Sequence, residues 1–195
     1  MKKILFISMV FLLLLALTIS FLFVRQFPKH ELATFTASVG NPDDCNVGGS
    51  VKFLGVGSAL WWYFNLPGVT ESFLAEGNSF LSSGFQALIC KKDQAGYEEN
   101  HRRIKRLINH ALKHGEDINH VGEKGFTMLH GAIIQSDVKL AEFLLANGAN
   151  PSTLSDKDAV WYGVTYSRLD AEHFIKALRE NNWPVDDEMV SLIMR

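Results

Sequence analysis

Between residues 127 and 146 the apolar positions Leu129, Ala132 and Ile133, then Leu140, Phe143 and Leu144, recur at helical spacing. The polar run Gln135-Ser136-Asp137 interrupts them, which predicts two short amphipathic helices separated by a turn and a new N-cap. A second stripe, Ile104, Leu107, Ile108, Ala111 and Leu112, predicts another helix. Its other side carries the cluster His101-Arg102-Arg103-Ile104-Lys105-Arg106, which reads either as a plain solvated face or as a contact for anionic lipid or an acidic partner. Gly115 and Gly148 follow these helices at the C-terminal position, where glycine takes φ > 0 at the least steric cost.

The pattern has a period. Ala111-Leu112-Lys113-His114-Gly115 is repeated by Leu144-Leu145-Ala146-Asn147-Gly148, and the step from Leu112 to Leu145 is 33 residues. One further step lands on Leu178, where Asn181 replaces the glycine and Pro184 falls one period after Pro151. A helix pair this short cannot bury its apolar face alone, so neighbours at the same period are required.

The run Gly125-Phe126-Thr127-Met128-Leu129-His130-Gly131-Ala132-Ile133, with Leu144-Leu145-Ala146-Asn147-Gly148-Ala149-Asn150, resembles one complete repeat of the ankyrin family. Met128 stands where that family has proline, so the helix start lacks a fixed φ. The resemblance covers residues 96–195 and is strongest over 111–153. It implies an all-α solenoid of about three helix-turn-helix repeats with short hairpin loops, the last one a degenerate cap. Gly115, Thr127, Leu129, His130, Ala132, Leu144, Leu145 and Gly148 would be its structural motif, with Thr127 and His130 holding the turn. It also implies protein binding without catalysis. The contacts would lie on the loops between repeats, at Asn119, His120, Glu123, Lys124 and Phe126 in one and at Asp158 and Trp161 in the next. Trp161 and Tyr162 have a second reading, as a seal over the core of the last repeat.

Residues 4–24 carry no charge, and at 1.5 Å per residue these positions span about 30 Å, the thickness of a bilayer core. The run is longer than the apolar region of a signal peptide and ends in Phe21-Leu22-Phe23-Val24, a poor cleavage site, which favours an uncleaved anchor over 1–25, with Ala33 to Ser38 as the alternative site for cleavage. Lys2 and Lys3 before it favour a cytoplasmic N-terminus with the remainder exported. Residues 26–95 are expected to form a helical lead-in or capping region without a repeat. Within it, 51–69 is either a buried apolar helix packing onto the first repeat or a second membrane span, which would return the repeats to the cytoplasm. Cys45 and Cys90 are the chain's two cysteines; an exported domain would bond them, a cytoplasmic one would keep them reduced.

With 19 basic and 21 acidic side chains the chain offers no basic domain for nucleic acid. No nucleophile elbow or phosphate loop is present, and His110 and His114 lack a matching third ligand. The expectation is therefore no catalytic residue, no metal, no cofactor and no small-molecule substrate. A small anchored ankyrin protein also resembles bacterial immunity proteins that neutralise phospholipase-type effectors of type VI secretion. That resemblance implies a single-pass inner-membrane protein with periplasmic repeats bound to a secreted lipase effector. The competing expectation is an adaptor that recruits a partner without inhibiting it.

Overall fold

The computed structural model describes residues 63–86 and 97–194. The apolar run 4–24, most of 51–69, and both Cys45 and Cys90 lie outside them. The described elements are helices α1 (Val69–Ala75), α2 (Phe80–Gln86), α3 (Tyr97–Lys113), α4 (Met128–Ile134) and α5 (Val138–Ala146). Then come the two-residue strands β1 (Val160–Trp161) and β2 (Val164–Thr165), followed by helices α6 (Ala171–Glu180) and α7 (Asp187–Ile193). The chain is thus mostly helical. No helix among the described residues is long and apolar enough to cross a membrane.

Three helix pairs stack side by side. α2 packs on α3, α4 on α5 and α6 on α7, while α2, α4 and α6 form one row and α3, α5 and α7 the other. Each first-row helix starts on a short polar side chain that satisfies an orphan N–H: Ser79 Oγ accepts from Ser82 N, Thr127 Oγ1 from His130 N, and Asp170 Oδ1 from His173 N. At Thr127 the bond is reciprocal, since Thr127 N donates back to His130 Nδ1 at 3.3 Å. This box orders the helix start that proline would otherwise preset. α3 and α5 end alike. Gly115 at φ +85° and Gly148 at φ +94° let the next residue's N–H reach back to Ala111 O and Leu144 O.

The third pair departs from the 33-residue period. Leu112 and Leu145 sit on second-row helices, whereas Leu178 sits on α6, in the first row. The residue equivalent to His130 is His173, 43 positions on, because an enlarged hairpin over 155–169 separates the second pair from the third. The left-handed residue that ends α6 is Asn182 at φ +59°, next to the Asn181 that the period indicated. The first pair differs as well, since α2 comes from the segment read as lead-in.

The described end of 51–69 is not a continuous helix. After a helical turn at Tyr63 and Phe64 the chain bends, and Gly68 at φ +77° starts α1. Phe64, Phe73 and Phe80 meet edge-on or tilted at 4.3–5.4 Å and close the first end of a core that runs unbroken through all three pairs. At the other end α6 turns His173, Lys176, Arg179 and Glu180 to solvent, the polar outer face a terminal repeat requires.

Candidate protein-binding surface

Two loops project from the first-row side, one over 116–126 and the hairpin over 155–169. The first is tied to α2. Glu116 accepts from Ser79 Oγ at 2.7 Å and from Phe80 N at 2.9 Å. Between this loop and the α1–α2 turn lies a groove of about 260 Å³, lined by Gly77, Asn78, Ser79, Ser82, His120 and Glu123 among others. Gly122 forms one wall; a Cβ there would stand 2.5 Å from Ser82 Oγ. His120, Glu123 and Lys124 are exposed.

One residue expected as a contact is used internally instead. Phe126 is 2 % exposed, with its ring 5.4 Å from Phe174 and 6.0 Å from Phe85, so it belongs to the core between pairs and not to the surface. The half-exposed Asn119 accepts from Asn150 N at 2.7 Å and from Thr153 Oγ1 at 3.3 Å, joining the first loop to the turn that follows α5. Asp158 is exposed on the hairpin.

The hairpin is held by the pairs Val160–Thr165 and Trp161–Val164, and at its base by Ser155, which bonds Tyr166 O and Leu169 N. Its base leans on the first loop: Gly125, at φ +79°, has Ala159 Cα 2.8 Å from where a Cβ would be, and Asp156 N donates to Gly125 O. Tyr162 and Gly163 at the tip both have positive φ, as a two-residue type I′ turn demands. The hairpin does not stand free. Trp161 packs edge-on to Phe85 of α2 at 6.2 Å and to Trp183, just past α6, at 6.3 Å. Trp183 in turn donates Nε1–H to Ile134 O at the end of α4. The hairpin therefore lies along the first-row helices.

Half-buried, Trp161 seals the third pair and seats the hairpin tip. Its own Nε1–H is buried without a hydrogen-bond partner. Tyr162 is 80 % exposed and lies against Trp183 at 5.3 Å. Phe85 and Trp183 are parts of this surface that the sequence did not single out; an isolated Trp after a helix end carries no periodic signal.

His130 is structural in its surroundings. Its Nε2 donates to Leu169 O at 3.1 Å, which leaves Nδ1 to accept from Thr127. Burial pushes its pKa down to about 4, so the ring is neutral. His110 is likewise pushed down to about 4, by burial first and by neighbouring His114 and Lys113. Its Nε2 meets Thr70 Oγ1 at 2.9 Å. Among the described residues no three His, Cys, Asp or Glu side chains are placed to hold a metal ion.

No family model matches the chain, and no solved structure matches it. A stretch of 68 residues is 41 % identical to a protein of Rickettsia bellii (strain RML369-C) named as an ankyrin repeat protein. The match covers 35 % of this chain and 19 % of that protein. This partial likeness, together with a stack of helix pairs opened by Thr127–His130 and again by Asp170–His173, supports an ankyrin-repeat assignment.

Proposed function

We propose that the chain is a non-catalytic module that binds a protein partner through its loop side. The contact surface is the groove along the first loop, with His120, Glu123 and Lys124, and the outward side of the hairpin. One observation carries this reading. Of the four large hydrophobic side chains exposed among the described residues, Leu154, Val160 and Tyr162 share this hairpin or its base. Trp161 fixes the same element from beneath. Binding energy concentrates on aromatic anchors held on rigid supports, because they bury much area with little loss of rotamer freedom. The hairpin also covers the first-row helices, so a partner meets the hairpin before it meets bare helix.

The finer reading places the chain as a single-pass inner-membrane protein, anchored by residues 4–24, with its repeats in the periplasm. The partner is then a phospholipase-type toxic effector, whose active-site mouth or lid the loop side would cover. The uncharged run 4–24 and the absence of a nucleophile motif in the sequence support it. Co-expression with an exported phospholipase-type effector encoded beside the chain tests it. Growth should be rescued by the natural chain and not by Tyr162→Ala. Binding without protection assigns an adaptor instead. Phosphatase and fluorescent fusions after Arg195 test the side of the membrane independently.

A further inference from the structure

The outer stripe of α3, with the start of α5 beside it, gathers a cluster of basic side chains. On α3 the exposed or half-exposed positions Glu98, Arg102, Lys105, Asn109 and Lys113 are three or four residues apart, hence on one stripe. Lys139 of α5 joins it, with Nζ 3.1 Å from Glu98 Oε1. Lys105 Nζ lies over the Phe143 ring of α5 at 5.0 Å, so both helices present their cations on a common face. Glu99 serves two guanidiniums, at 2.8 Å from Arg102 and 2.6 Å from Arg103, which leaves the stripe with excess positive charge. The chain as a whole is at −2, so this cluster is a local feature.

We infer that this basic face docks on an anionic phospholipid surface. Charge alone would fit an acidic protein equally well. The chain outside the described residues favours lipid, because 4–24 is a 21-residue uncharged run that would hold the domain beside a bilayer. A tethered face meets headgroups at high effective concentration, so modest attraction per cation suffices. The tether belongs to the reading above; the basic face is independent of it.

The test is flotation of the full chain with preformed vesicles of phosphatidylcholine alone or with about 30 % phosphatidylglycerol. The neutral vesicles give the contribution of residues 4–24, and the excess on anionic vesicles gives that of the basic face. The excess should fall about ten-fold or more in the variant Arg102→Glu/Lys113→Glu/Lys139→Glu, and also when salt rises from about 0.1 to about 0.4 M. The glutamine version of the same variant should show a smaller fall, which guards against misfolding of the reversal variant, and thermal melts check both. No excess on anionic vesicles, or an excess that survives charge reversal, overturns the inference. Binding of poly-glutamate through the same three residues without any lipid excess also overturns it and assigns the face to an acidic protein.

Discussion

His130 Nε2 donates to Leu169 O at 3.1 Å, so the ring that closes the start of α4 also holds the residue that ends the hairpin. One imidazole thereby couples the second pair to the element that carries the exposed tyrosine. Because its folded pKa lies at about 4, below the ordinary value of 6.5, the unfolded chain binds more protons than the folded one between those pH values. Stability from this group is therefore complete above about pH 6.5 and is lost as pH falls toward 4, by up to about 3 kcal/mol. His110 adds a loss over the same window. Urea unfolding at pH 7 and pH 4.5 should show the decline, and His130→Asn should flatten it while lowering stability at pH 7.

Asp137 concentrates a second set of bonds. Its Oδ1 accepts from Tyr97 OH at 2.7 Å and from Leu140 N at 3.0 Å, with His101 Nε2 at 3.5 Å. Burial works against the carboxylate, yet these partners hold its pKa below the ordinary value. The residue thus caps α5 and ties it to α3. Asp137→Ala should cost about 2–4 kcal/mol, since it strands Tyr97 OH and Leu140 N in the interior. Asp137→Asn, which keeps an acceptor, should cost less; equal losses in chemical denaturation would mean the bonds contribute little.

Legibility followed locality. The Thr127–His130 cap, the split at 135–137 and the glycine ends are encoded within a few residues, and the structure places helix boundaries there. The 33-residue step held where two glycines ended equivalent helices. It failed at Leu178, because the enlarged hairpin adds length that no helix periodicity registers. Phe126 occupies a loop position, and its burial depends on Phe85 and Phe174, far off in sequence. α2 was not read as half of a repeat because Phe80-Leu81-Ser82-Ser83-Gly84-Phe85-Gln86 has poor helix formers and is helical through its packing on α3 and α4.

The glycines separate two kinds of constraint. Gly148 has positive φ but open space where a methyl group would stand, so Gly148→Ala should cost about 1 kcal/mol from backbone strain alone. Gly125 adds an overlap with Ala159 Cα at 2.8 Å to the same strain. That neighbour is backbone and cannot rotate away, so Gly125→Ala should cost about 2–5 kcal/mol. Thermal melts of the two variants settle it: comparable shifts would mean that the two loops separate easily.

Trp161 and Tyr162 should divide stability from binding. Tyr162 is 80 % exposed and sits at φ +46°, a strained region for a residue with a β-carbon. Replacing it with Asn, which tolerates that conformation, should leave stability unchanged or raise it by about 0.5 kcal/mol while weakening partner binding at least about ten-fold. Trp161 does the reverse work beneath it. Trp161→Ala removes the packing on Phe85 and Trp183 and should destabilise the fold by about 2 kcal/mol, with the hairpin losing amide protection first. Trp161→Phe removes the unpartnered indole N–H and keeps a ring, so it should be far milder. Hydrogen exchange and binding titrations on the same three proteins check the division; a Tyr162→Asn variant that binds as the natural chain does would move the contact away from the hairpin tip.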